Sequence, residues 1–333
     1  LINHTWLIKN GDKDFILQRV NDTVFKEPAN IAYNIRLIAD FLKLVNPSYL
    51  FVSPVKTKDN KELYYEQQKG YYRMLPFVPG SHTIDAVQST KQAFEASRQF
   101  GLFTNTLKNF NPHRLKTTLP DFHNLSLRYR QFTNSLVAGN KKRVEEAEKE
   151  IEFLQLQESI VEKFELLKNN GDFKLRVTHH DTKISNALFD DNDNGLCVID
   201  LDTVMPGYFI SDAGDMMRTY LSPVSEEETD FSKIEIREEY FKAIAEGYLG
   251  VMSGDLTASE TAHFVYAGKF MIYMQALRFL TDYLNNDVYY GAKYEKHNLM
   301  RSRNQIVLLQ RLMEKEEQLN DFILKFQYLK YRF

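Results

Sequence analysis

The hydrophobic pattern of this 333-residue chain changes period once, near residue 80, and that change constrains the fold more than any single motif. Before it, short β-prone runs at 5–8 and 15–20 are separated by Asn10-Gly11, a hairpin signal. One helix is expected over 30–44, where Ile31, Ile35, Ile38, Phe41 and Leu42 recur at helical spacing. Further strands are expected at 49–55, 62–67 and 70–78, with a polar turn at 58–61. Pro76, Pro79 and Gly80 then punctuate the chain as an interdomain linker. From residue 83 the period becomes helical: 84–110, 121–136 and 141–169, the last stopped by Asn169-Asn170-Gly171, and later 212–221, 233–252, 257–284 and 296–326. A short β island interrupts them at 175–178, 187–189 and 196–199, with Asn194-Gly195 as a turn. The expectation is an α+β chain of two unequal units, 1–80 and 81–333, the first small and β-rich, the second larger and mainly helical.

Composition removes several function classes. Lys plus Arg number 42 against 45 for Asp plus Glu, so no basic field invites nucleic acid or an acidic membrane. The most apolar stretch, 264–280, carries Lys269, Gln275 and Arg278 and reads as a core helix rather than a membrane span. A single cysteine, Cys197, excludes an internal disulfide and a multi-thiolate zinc site, which suits a reducing, cytoplasmic setting. The run from Asp190 to Gly195 opens like a calcium loop, but its twelfth position is Leu201 instead of a bidentate Glu. It reads as a hairpin turn.

The β island holds the chemistry. Its apolar strands end in polar residues: His179-His180-Asp181-Thr182-Lys183-Ile184-Ser185-Asn186 after the first, and Asp200-Leu201-Asp202 after the last. Phosphoryl transfer needs such an inventory. Asp181 would orient or deprotonate an acceptor hydroxyl, while the Asn186 amide and the Asp200 carboxylate would hold Mg²⁺ on the phosphates. Lys183 would neutralise charge developing on the transferred group. Asp202 would assist the metal or cap the next turn, and His179 would brace the loop. His180 has no second His/Cys cluster to complete a zinc site.

The pattern His-x-Asp-x4-Asn, followed by Ile199-Asp200, resembles the catalytic loop of the protein-kinase-like superfamily. Having Leu-Asp after Asp200, where other branches carry Phe-Gly, looks like the aminoglycoside phosphotransferase and choline kinase branch. Four segments, 1–6, 15–21, 73–80 and 198–207, together resemble the N-acetylhexosamine 1-kinases, as does Asp212-Ala213-Gly214-Asp215. The resemblance implies a bilobal protein-kinase-like fold, ATP with Mg²⁺, and a small hydroxylated acceptor, in the nearest kin a sugar's anomeric hydroxyl. It also implies that Arg19 contacts phosphate and that Met74, Leu75 and Phe77 belong to a hinge meeting adenine. The first 79 residues hold only Gly11 and Gly70, so the family's Gly-rich loop is expected at and upstream of Leu1. The helix at 30–44 carries no early Glu to pair with Arg19.

For the acceptor, His4, Asp215, Arg218, Arg278 and Arg301 are candidates. Polar groups among aromatics suit a sugar, and equally suit buried helix–helix hydrogen bonds. A homoserine- or choline-type amino alcohol is the alternative acceptor, and a nucleotide-binding pseudokinase the alternative class. Retention of Asp181, Asn186 and Asp200 argues against the latter.

Overall fold

The computed structural model describes residues 2–11, 13–169, 171 and 173–330. Of the stretch Leu1–His4, around which and just before which the Gly-rich loop is expected, Leu1 lies outside them. The N-terminal part is a sheet in the order β1-β2-β4-β3, all antiparallel: β1 (His4–Ile8), β2 (Phe15–Val20), β3 (Tyr64–Glu66) and β4 (Gly70–Pro76). Between β2 and β3, α1 (Pro28–Val45) starts on a proline, whose missing N–H costs nothing at a first turn. Its Ile31, Ile35, Ile38 and Leu42 form the buried stripe that the spacing predicts. The expected strand at 49–55 does not form. Pro54 lacks an amide, and among the described residues the segment contributes a single backbone bond to the sheet, from Val55 N to Met74 O at 2.8 Å.

The larger part begins at α2 (Thr90–Thr106), six residues later than the period suggests, because Ser89 caps its N-terminus by accepting from Gln92 N. Next come α3 (Leu125–Ala138), α4 (Lys141–Glu146), α5 (Glu148–Leu156) and α6 (Ser159–Asn169). The single long helix expected over 141–169 is thus three, broken at Ala147 and Gln157, which lets short pieces wrap a curved core. The β island follows as β5 (Arg176–Thr178), β6 (Ala187–Phe189) and β7 (Gly195–Val198), joined by β8 (Met205–Gly207), which periodicity does not reveal. Here β5 pairs with β8 and β6 with β7. The remainder is helical: α7 (Phe209–Tyr220), α8 (Glu238–Met252), α9 (Ala258–Ala262), α10 (Phe264–Leu284), α11 (His297–Glu314) and α12 (Glu316–Lys330).

Helix α10 is buried on nearly every face and packs on α3, α7 and α11. Gly214 lets α7 approach it, since a Cβ there would stand 2.2 Å from Ala267 O. No described helix is long and apolar enough to cross a membrane. One main core runs through both parts and takes in α1. A second small cluster joins Val52, Leu75 and Val78 to Leu188, Leu196, Cys197 and Ile199 where the two parts meet. The expected boundary at residue 80 falls in the irregular segment between β4 and α2.

Candidate active site

The loop after β5 is held from three sides. His180 has φ 67°, a left-handed conformation unusual for a side-chain-bearing residue. That turn aims two consecutive amides at one carboxylate: His179 N and His180 N donate to Asp212 at 3.0 and 2.7 Å. One helical turn along α7, Asp215 accepts from Thr182 N at 2.8 Å. From below, the Tyr220 hydroxyl donates to Thr182 O at 2.5 Å, and Thr203 Oγ1 donates to His179 O at 2.6 Å. The His179 ring contacts Ile199 O through Nε2 at 2.9 Å, the bracing role expected of it. Gly207 makes room for the His180 ring, because a Cβ there would lie 2.4 Å from His180 Nε2.

This frame leaves Asp181 half-open, with 22% of its side chain exposed. Lys183 Nζ donates to its carboxylate at 3.0 Å. Burial works to lower the lysine's pKa, but the carboxylates of Asp181, Asp200 and Asp215 outweigh it and raise the pKa. Asn186 Nδ2 donates to Asp181 O at 2.9 Å, leaving its Oδ1 without a donor among the described residues. Ile199 N bonds Asn186 O at 2.8 Å, which sets Asp200 beside Asn186.

Asp200 also has positive φ, 57°, and its carboxylate has no hydrogen bond or ion pair among the described residues. Burial, then the charges of Asp202 and Asp181, push its pKa up to about 6. A carboxylate so crowded by like charge gains from a cation. Among the described residues no group of three His, Cys, Asp or Glu gathers as a metal site. An amide oxygen and a carboxylate are, however, the hard donors that Mg²⁺ accepts when phosphates and water complete its shell.

The opposite sheet corrects part of the sequence reading. Successive strand residues face opposite ways, so Gln18 and Arg19 part company. Gln18 Oε1 accepts from Arg73 Nε at 3.0 Å, and Arg73 Nη1 pairs with Asp202 Oδ1 at 2.5 Å, both side chains nearly fully buried. Arg19 lies on the other face, near Gly70 and Asp22, and His4 is its exposed register partner. Neither is brought to Asp181 or Asp200. Asn3, one residue before His4, reaches the site instead, donating to Asp202 Oδ2 at 2.7 Å. Asn34 of α1 donates to Val204 O at 3.0 Å, which fastens this helix to the segment that follows Asp200.

At the expected hinge, Leu75 packs in the small cluster with Cys197, whose thiol burial pushes up to about 12. Met74 O and Phe77 N are already engaged, by Val55 N and Asp14 O.

The acceptor candidates divide into two groups. Asp215 and Arg218 belong to the loop's support: Arg218 Nη2 donates to Asp215 at 2.9 Å and Nη1 to Glu226 at 2.8 Å. Glu226 also holds Arg301, whose guanidinium lies 3.7 Å from the centre of the Phe279 ring. Arg278 instead lines a cavity of about 550 Å³ with Arg128, Gln131, Asp282, Tyr289 and Tyr290. Ring contacts lead from it to the catalytic loop. Arg278 stands 5.6 Å from Phe122, Phe122 stacks on His123 at 4.4 Å, and His123 meets His180 at 5.3 Å. Sequence reasoning missed Arg73, Arg128 and His123, because nothing in their neighbours' spacing marks them. Asp212 was visible in its motif but without a role.

A half-open carboxylate on a rigid loop, beside an amide and a second, crowded carboxylate, is the equipment of a phosphotransferase. The chain matches the phosphotransferase enzyme family over residues 1–253 and belongs to it. The family is one of ATP-dependent enzymes acting on hydroxyl groups of small molecules. Solved structures share the fold. A microcompartment-associated aminopropanol kinase has a TM-score of 0.63 at 14% identity, covering 96% of this chain and 90% of that one. An aminoglycoside phosphotransferase from Alicyclobacillus acidocaldarius has a TM-score of 0.63 at 12% identity, covering 98% and 94%. A spectinomycin phosphotransferase in complex with ADP and spectinomycin has a TM-score of 0.57 at 12% identity, covering 95% and 90%.

Proposed function

We propose that the protein transfers the γ-phosphoryl group of ATP to a hydroxyl of a small sugar, the anomeric hydroxyl of an N-acetylhexosamine, in a cytoplasmic setting. The observation that carries this is the Asp181 carboxylate, on a loop whose amides Asp212 and Asp215 hold, yet open beside Asn186 and Asp200. Asp181 takes the acceptor proton as the new O–P bond forms. The bond to the β,γ-bridging oxygen breaks in line, and ADP leaves with its electron pair. Lys183 holds the Asp181 carboxylate in place and offsets negative charge on the transferred group. Mg²⁺, held by Asn186 and Asp200, would supply electrostatic stabilisation of the phosphate oxygens. Leu75, Leu188 and Cys197 offer an apolar seat for a flat base.

The acceptor wall favours a sugar over a cationic amino alcohol. A quaternary or protonated amine wants a free carboxylate among aromatic rings. The cavity's carboxylate, Asp282, already accepts from Tyr289 N at 2.7 Å, Tyr290 N at 2.8 Å and Asn298 Nδ2 at 3.2 Å. The cations Arg128 and Arg278 stand beside it. ADP release with ATP and Mg²⁺, measured across free sugars and amino alcohols, tests the proposal. Turnover on N-acetylhexosamines is expected. Turnover on choline or homoserine with none on sugars overturns it, and nucleotide binding without turnover on any acceptor marks a pseudokinase.

A further inference from the structure

Four buried or half-buried arginines of the helical lobe, Arg176, Arg218, Arg301 and Arg303, each pair with a carboxylate. Arg128 and Arg278 do not pair with one among the described residues, although both line the same cavity. Arg278 contacts only the amide oxygen of Gln275, at 3.2 Å, and the faces of Phe122, Tyr289 and Tyr290. Arg128 donates to the amide oxygen of Gln131 and the carbonyl of Asp121, and its Nε is buried without a partner among the described residues. Burial and then the nearby charge of Arg278 lower its pKa, as two uncompensated cations in one cavity require.

No neighbour forms an ion pair with either arginine among the described residues. His123 is held neutral by burial, with His180, Arg278, Arg218 and Arg128 around it all opposing a proton. Asp121 draws Arg128 only through its backbone carbonyl and weakly through charge, and Asp282 is saturated by N–H donors. Two half-buried guanidiniums lining one cavity with aromatic walls form a receptor for a planar anion, and the planar fork matches a carboxylate.

We infer that this cavity binds a carboxylate carried by the acceptor, so that the preferred substrate is an acidic sugar whose hydroxyl reaches Asp181. This rests on the sugar-kinase reading above and deepens it. The ring path from His180 through His123 and Phe122 to Arg278 leaves the length of the sugar open. A uronic acid or a disaccharide ending in one carries the same charge.

The test is steady-state kinetics of the full chain with ATP and Mg²⁺ on four acceptors: glucose, glucuronic acid, N-acetylglucosamine, and a disaccharide of N-acetylglucosamine with a terminal glucuronic acid. Either carboxylated sugar should exceed its neutral parent in kcat/KM by at least tenfold, and whichever does so identifies the length. Arg128→Gln should cut that ratio by tenfold or more, chiefly through KM. Arg128→Glu should invert it in favour of glucose over glucuronic acid, a gain that misfolding cannot mimic. Arg278→Gln provides a second reading should the Arg128 variants melt early. Equal or better use of the neutral parents by the wild-type enzyme overturns the inference and leaves the sugar-kinase reading standing. A ratio that survives Arg128→Gln and Arg278→Gln overturns it too. Turnover on amino alcohols with none on any sugar overturns both.

Discussion

Single residues decide the chemistry here by what their neighbours leave free. Asp212 and Asp215 are saturated by loop amides and Arg218, so their part is to hold the loop, whereas Asp181 and Asp200 keep open oxygens. Asp181→Asn should therefore lower kcat by about 10²–10⁴ with little change in KM for ATP, as read from initial rates. An unchanged kcat would remove Asp181 from the chemistry. His180 supports a different expectation. Burial depresses its pKa from 6.5 to about 4, so between those values the unfolded chain binds a proton that the folded chain refuses. Stability from this group is complete above pH 6.5 and is lost as pH falls towards 4, at up to about 1.4 kcal/mol per pH unit. Denaturant titrations of wild type and His180→Gln at pH 7.5 and pH 5 should show the stability gap closing, or reversing, at the lower pH. A gap that does not move with pH would refute the neutral, buried imidazole.

The order and type of most elements were legible in the chain, and their ends were less so. Ile31, Ile35, Ile38 and Leu42 announced α1 because one face of one helix suffices to bury them. The breaks at Ala147, Gln157 and His263 were not legible, since each splits a continuous helical period without Gly or Pro. Strand β8 was hidden for a related reason: Met205-Pro206-Gly207 has no strand-like alternation and becomes a strand by pairing with β5. That short pair is secured at its edge by Arg176, which reaches Glu260 at 2.6 and 2.9 Å and Asp255 at 2.5 Å. Glu260 is fully buried and also accepts from Lys174 N and Thr257 N. Glu260→Ala should destabilise the protein by about 3 kcal/mol, because it removes one of the two carboxylates that hold a buried guanidinium and leaves two amides without their acceptor. A loss under about 1 kcal/mol in denaturant titration would show the cluster to be peripheral.

Across the whole molecule, the two parts are joined at the chemistry itself. Arg73 and Asn3, from the sheet side, meet opposite oxygens of Asp202, two residues beyond Asp200, while Asn34 anchors α1 to Val204. The N-terminal sheet is thereby registered on the segment that carries Asp200. Arg73→Met should loosen that registration: amide hydrogen exchange in β2 and β4 should quicken, with α10 unaffected, and KM for ATP should rise several-fold. Uniform exchange change across both lobes would argue for general destabilisation instead.

The sequence by itself determined the two unequal parts and their secondary-structure classes, because those depend on local period, and it singled out Asp181, Asn186 and Asp200 as the proposed site through spacing within one loop and hairpin. It could not decide which cation faces Asp202. Gln18 and Arg19 differ by one position, and that single step turns a strand side chain to the other face of the sheet. Nor could it assemble Arg128 and Arg278 into one cavity, since α3 and α10 meet only through packing across the helical lobe. Local periodicity is a property of neighbours along the chain. Strand facing and the gathering of charged side chains arise only when distant segments pack, and in this protein they select the partner of Asp202 and the two arginines that line one cavity.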